Sequence, residues 1–360
     1  MANREKLFAA MLQHRFPAHW ADMMFWDNGA LAAQLQTTDH HNMFGYDPAT
    51  EKVFLNDDIA RGLVRTAQGW HPNTEGEEFL RAAQVLNDLS GLELPFLADM
   101  RDHRARSGLV ADDGRFVPVF QYNRLPQNRG GVIWPLSTHY QRIGSGTYFG
   151  SGLHDPLPFA QKRDIVFWRG APTGHDRNGT RAIFSLRAYA AGKLDRVSCA
   201  ARLKQVPRFA LLDSFQTQPG YDLAFAEKAS LPSPGEFGYR VTPPMPRKKM
   251  LNARYQLVIQ GHDCGSNLPW LLGTNCLILR QDMAWQVCYS AALEPWEHYV
   301  PIAEDFSDLP EKLAWARANP DACEAIIAKA NSVADNLADH AFEDSLRRAV
   351  LDRYRAALDG

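Results

Sequence analysis

The residues best placed to do chemistry in this sequence are one carboxylate, two arginines and one polar turn. The carboxylate is Asp102, in the segment Asp99-Met100-Arg101-Asp102-His103 that closes an apolar run at 94–98. A carboxylate just past a strand end can act as a general base. It can equally cap a helix or pair with Arg101 or Arg104, and position alone favours capping. Arg169 follows the run DIVFW and precedes Gly170 and Ala171; Arg181 opens the next helical segment. A guanidinium at a strand's C-terminal end can pair with a phosphate, while the ordinary alternative is a surface ion pair worth little. The turn runs Gly261, His262, Asp263, Cys264, Gly265, Ser266, Asn267. Backbone amides and a helix start there favour an anion such as a diphosphate. By itself the turn also reads as an ordinary strand–helix loop, because it is neither a Walker loop nor GxGxxG. A metal set of His262, Asp263 and Cys264 is disfavoured, since adjacent side chains diverge. A thiol near a helix N-terminus is activated, but nothing here calls for a Cys264 nucleophile, and a small residue close to a diphosphate is the simpler role.

These residues need elements to hold them. The stretch YQLVIQGHDCGSNLPWLLGTNCLILR reads as strand (255–259), glycine turn, helix (268–272) and strand (276–279). Before it, 164–168 predicts a strand and 181–189 a helix. In the first half, helices are predicted near 2–22 and 76–92, and strands at 94–98, 116–122 and 132–136. Helices are predicted again at 285–293, 309–315, 322–337 and 341–358. The last carries Phe342, Leu346, Val350, Tyr354 and Leu358 on one stripe, as core packing requires. Residues 143–158, rich in Gly, Ser and Pro, predict a linker. Strands alternating with helices imply an open α/β sheet, in which ligands bind beyond the carboxyl ends of the strands.

Composition narrows the classes. Length suggests two domains, which we place at 1–155 and 156–360. A net charge of −2 with 22% charged residues leaves no basic excess for nucleic acid. No apolar run is long enough for a membrane span, and the N-terminus lacks the apolar core of a signal peptide. Five scattered cysteines with no CxxC suggest thiols in a reducing cytoplasm. The pair His40-His41 has no matching ligand spacing and reads as a surface loop.

The order of segments in the second half carries a resemblance. FWRG ends a strand, Arg181 starts a helix, YQLVIQG leads into the polar turn, and LLGTNCLILR precedes EPWEHYVPIAEDFSDLPEKLAWARANPD. This resembles glycosyltransferase family 90, which includes protein O-glucosyltransferases and capsule or lipopolysaccharide sugar transferases. Pro295, Trp296, His298, Tyr299 and Pro301 are the most distinctive match, and ADMRDH resembles the family's strand-end Arg-Asp pair. The resemblance runs from about 164 to 337 and is weaker before it. Ala171 stands where members often have serine, and Gln260 where arginine or aspartate is common.

The resemblance implies a soluble, bacterial-type member with the α/β GT-B architecture: two Rossmann-like domains facing across a cleft, with the C-terminal helix packing back. It implies metal-independent, inverting transfer of a sugar, glucose or xylose foremost, from a UDP-sugar to a hydroxyl of a glycan or lipid-linked acceptor. No metal or other cofactor is expected. Asp102 becomes the catalytic base. Arg169, Gly170, Ala171, Arg181 and Gly261 to Asn267 become the nucleotide-sugar contacts. The chemistry is coherent with the residues: an acceptor hydroxyl must lose a proton, and no Asp-x-Asp metal motif is present, so arginines and amides must neutralise the diphosphate. A cytoplasmic enzyme of lipopolysaccharide or capsule synthesis, with peripheral membrane association left open, fits this reading. The alternative is a non-catalytic nucleotide- or glycan-binding module of the same fold.

Overall fold

The computed structural model describes residues 2–18, 20, 43–102, 109–110, 114–136, 154–227 and 232–358. The histidine pair at 40–41, His103, Arg104 and residues 143–153 of the expected linker lie outside these. The chain divides into two compact units. Unit 1 comprises Met1–Ser151, Ala284–Ala292 and Asn336–Gly360; unit 2 comprises Gly152–Met283 and Leu293–Asp335.

Among the described residues, unit 1 is built on a mixed sheet of five short strands: β1 (Phe44–Asp47), β2 (Lys52–Phe54), β3 (Phe96–Ala98), β4 (Val119–Gln121) and β5 (Gly131–Ile133). Their order is β5-β4-β3-β1-β2, with β3, β4 and β5 parallel and β1 antiparallel to both of its neighbours. The strand expected at 116–122 is broken at Pro118, which has no N–H to give to a ladder. Three helices matter in this unit: α1 (Ala2–Arg15), α2 (Glu77–Leu89) and a C-terminal helix, His340–Leu358. The striped positions Phe342, Leu346, Val350 and Tyr354 of the last are all buried, and Tyr354 lies 5.1 Å from the Phe120 ring of β4. Each such side chain withdrawn from water contributes roughly 1.5–3 kcal/mol. The segment expected as a helix at 285–293 is instead a short strand, Gln286–Val287, paired with Asn123–Arg124, and then a 3-10 turn at Ser290–Ala292. Ser290 Oγ accepts from the Val287 amide, and the strand partner supplies what helical bonds would have supplied.

Unit 2 holds, among its described residues, a six-stranded parallel sheet: β6 (Arg163–Gly170), β7 (Tyr221–Ala226), β8 (Val241–Thr242), β9 (Ala253–Val258), β10 (Leu277–Gln281) and β11 (Val300–Ile302). The order is β8-β7-β6-β9-β10-β11, and every neighbouring pair is parallel. The chain begins mid-sheet, winds outward one way, returns, and winds outward the other way. The order reverses between β6 and β9, so loops leaving these adjacent strands diverge and leave a crevice for a ligand. Strands covered on both faces must be apolar throughout, and Tyr255, Leu257, Leu277 and Leu279 are fully buried. Among the helices, α3 (Ala182–Ala190) and α5 (Pro207–Phe215) follow β6, with α4 (Arg196–Leu203) between them. No helix among the described residues is long and apolar enough to cross a membrane. Burial pushes the Cys276 and Cys323 thiols up to about 11.

Candidate functional site

Unit 2 gathers most of the expected binding residues where its strand order reverses. Residues 171–181 leave β6 and 259–267 leave β9. The first loop is tied by its own side chains: Asp176 Oδ1 accepts from the amides of Asn178 (2.9 Å) and Thr180 (2.8 Å). His175 pairs with Arg181 as an isolated antiparallel bridge, which sets Arg181 at the N-cap of α3. The second loop is anchored by Asn267, whose Nδ2 donates to the Leu257 carbonyl at 2.8 Å. The helix after it is a single turn, Leu268–Leu271, with Pro269 as its second residue.

The two loops meet. The rings of His175 and His262 lie 5.4 Å apart, centroid to centroid. Burial, then the neighbouring His262 and Arg181, pushes the His175 imidazole down to about 4, against a smaller pull from Asp176. His175 is therefore neutral at pH 7. Asp263 is buried, Cys264 half-buried and Ser266 exposed.

Arg208, on α5, joins the loops, and the sequence reading did not single it out. Its Nη1 donates to the Ala171 carbonyl (3.0 Å) and to Thr173 Oγ1 (2.6 Å). Its Nε donates to the Gln260 carbonyl (3.0 Å), and Nη2 reaches the Ile259 carbonyl at 3.3 Å. Burial pulls its pKa down to about 10, opposed by Asp263 and Cys264, so it remains a cation at neutral pH. Gly261 is required here by space. A Cβ would stand 2.6 Å from Arg208 Nη2 and 2.9 Å from Thr173 Oγ1. Gly174 meets the same crowding with φ of +128°, and a Cβ there would touch Val206 Cγ1 at 2.7 Å. A further tie runs sideways. Gln281, fully buried, accepts from the Gln260 amide (3.0 Å) and donates to the Glu304 carbonyl (2.7 Å).

Arg169 is placed differently from the rest. Its guanidinium turns along the sheet onto Asp222 of β7, donating to Asp222 Oδ1 at 2.6 Å and to the Asp222 carbonyl at 2.7 Å. Its side chain is 3% exposed and lies over the Phe167 ring. Burial opposes ionisation of Asp222, but Arg169 and then Arg240 outweigh it and hold the carboxyl below the usual range. Gly170 ends β6, and Ala171 contributes its carbonyl to Arg208.

Asp102 belongs to unit 1, four residues past β3. Two donors meet on its Oδ1: Arg81 Nη1 from α2 and the Tyr122 hydroxyl just after β4, each at 2.7 Å. The Asp102 side chain is 40% exposed and Arg81 13%. Burial lowers the Arg81 pKa, but Asp102, Tyr122 and Glu77 more than reverse this and leave it raised. The partner is therefore Arg81, from a helix 21 residues upstream, where the sequence points to Arg101 or Arg104. Such a carboxylate is fixed in direction yet open to solvent, which a proton acceptor needs.

The fold and these loops define an α/β protein whose second unit is doubly wound, with its polar residues collected at the reversal of strand order. The Glycosyl transferase family 90 model matches residues 241–345, a span that includes the whole 261–267 turn and the Pro295–Pro301 motif. Over that span the chain is similar to glycosyl transferase family 90. Asp102, Arg169, Arg181 and Arg208 fall outside it. O-glucosyltransferase LpsA of Dichelobacter nodosus is 26% identical over 208 residues, covering 57% of this chain and 54% of that protein. Protein O-glucosyltransferase 3 of Homo sapiens is 36% identical over 84 residues, 23% of this chain and 17% of that protein. Uncharacterized protein 035R of Invertebrate iridescent virus 3 is 37% identical over 82 residues, 22% of this chain and 8% of its own. The chain therefore spans about half or less of the length of these relatives.

Proposed function

We propose that the protein is a glycosyltransferase that moves a sugar, glucose or xylose, from a UDP-sugar to a hydroxyl of a glycan or lipid-linked acceptor, with inversion and without a metal. The observation that carries this is the convergence of the 171–181 and 259–267 loops at the reversal of a parallel sheet, the second loop lying within the family 90 span. In this reading Arg181, His262 and the turn through Asn267 face the diphosphate, with Gly261 and Gly265 keeping the backbone close. In this reading Arg169, paired with Asp222, supports the strand end beside the diphosphate. Asp102 takes the acceptor proton, oriented by Arg81 and Tyr122. Inverting transfer needs that single base, acting as the hydroxyl attacks the anomeric carbon from the face opposite the leaving nucleotide. The reading carries with it the GT-B arrangement of two units across a cleft. A cytoplasmic site of lipopolysaccharide or capsule synthesis goes with it.

The test is UDP release from a panel of UDP-sugars, with and without EDTA, for wild type and Asp102→Asn. Release that survives EDTA and disappears in the variant is expected. UDP binding with no turnover of any sugar would replace this reading with the non-catalytic binding module. Undiminished activity in Asp102→Asn would remove Asp102 from the chemistry.

A further inference from the structure

We propose that Arg208 is the positioning residue of the switch-point site. It clamps the loop after β6 to the loop after β9, so that the residues facing the diphosphate are presented together. The inference rests on the nucleotide-sugar reading above.

The geometry is specific to an arginine. Four acceptors surround the guanidinium: the carbonyls of Ala171, Ile259 and Gln260, and Thr173 Oγ1. Two belong to the first loop and two to the second. A planar fork with five donors can reach both sides at once, whereas a lysine ammonium donates from a single point. The Trp168 ring, 5.4 Å away, covers the group from the strand side. The glycine at 261 leaves the space the guanidinium fills, and any side chain there would push against it. Arg208 also places a positive charge next to Asp263 and Cys264 of the polar turn. Bonds from a charged donor to carbonyls are stronger than neutral ones, so the clamp resists parting of the loops. Its Nε, Nη1 and Nη2 all donate to loop acceptors, so its effect on a ligand passes through Arg181 and the turn it holds in place.

The experiment uses the full chain and UDP as the probe. UDP affinity is measured by calorimetry for wild type, Arg208→Lys, Gly261→Ala and the double variant. Amide hydrogen exchange is followed over 171–175 and 259–263. Weakening by at least about 10-fold is expected in each single variant, with faster exchange confined to those two segments. The double variant should be little worse than either single one, because both changes disrupt one contact. Gly261→Ala removes no hydrogen-bonding group, so it keeps the test alive if Arg208→Lys folds poorly. Folded variants that bind UDP as wild type does would overturn the clamp and leave the nucleotide reading standing. A wild type that does not bind UDP would overturn the nucleotide reading, and with it the positioning role. Faster exchange in the variants would then show a loop tie of structural importance only.

Discussion

Unit 1 and unit 2 fix their important charged groups by opposite means. In unit 1 the parallel strands are three residues long, and Asp102 is held by two side-chain donors, Arg81 and Tyr122. In unit 2 the central strand has eight residues, and Arg208 is held mostly by backbone carbonyls of the loops it joins. A carboxylate needs donors, and at Asp102 they come from the side chains of a helix residue and of a residue just past a neighbouring strand. A guanidinium needs acceptors, and any loop offers carbonyls. The carboxylate can therefore stay partly exposed and reactive, while the arginine becomes internal scaffolding.

The contrast can be broken first at the carboxylate. Asp102→Asn should lower kcat by roughly 10²–10⁴-fold, the range for loss of a general base, while leaving UDP affinity unchanged. Kinetics together with calorimetry would separate the two. A second test asks how unit 2 tolerates a broken buried pair. Lys162 and Asp155 form a fully buried ion pair at 2.8 Å in unit 2, with Asn275 also bonded to Asp155. Asp155→Ala strands the ammonium and should cost about 3–5 kcal/mol in urea unfolding.

The third test is pH. Burial, then Arg124 and Arg15, pushes the His14 imidazole of unit 1 down to about 4. Its folded pKa lies below the unfolded value, so the unfolded chain binds the extra proton between the two. The stability is complete above about 6.5 and is lost as pH falls toward about 4, by up to about 3 kcal/mol. Urea midpoints for wild type should fall over that window, and those of His14→Gln should fall less. Smaller still, Arg181→Gln should weaken UDP binding by about 1.5–3 kcal/mol, the scale of one charge-assisted bond, and should lower kcat too, because charge on the leaving diphosphate grows in the transition state. At the bottom of the scale, Asp58→Asn removes an exposed pair with Arg61 at 2.7 Å. It should move the thermal midpoint by no more than the equivalent of roughly 0.5 kcal/mol, and a larger loss would show that surface pairs matter in unit 1.

The sequence made unit 2 legible and unit 1 much less so. Runs such as YQLVI and DIVFW are apolar on both sides because parallel strands are covered on both faces, and their positions match β9 and β6. The strands at 44–47 and 52–54 lie in a polar, turn-rich region where short strands leave almost no periodicity to read. The 285–293 segment has helical composition, but a partner strand won. Arg208 lies in the stretch 198–254, where the sequence analysis predicts no element, although Pro207 at the start of a helix was a usable signal. Its role had none, because carbonyl acceptors belong to no residue type.

By itself, the sequence determined the strand–turn–helix order of the second half, the family likeness of 241–345, and which carboxylate stands beyond a strand end. Those are local facts, written in apolar runs and short motifs. Only the tertiary structure decided that Arg169 turns to Asp222, that Arg81 and Tyr122 close on Asp102, that the last helix joins the first unit, and that Arg208 ties two loops. Each of these depends on which distant atoms come within about 3 Å, the reach of a hydrogen bond, and one-dimensional spacing does not encode that distance.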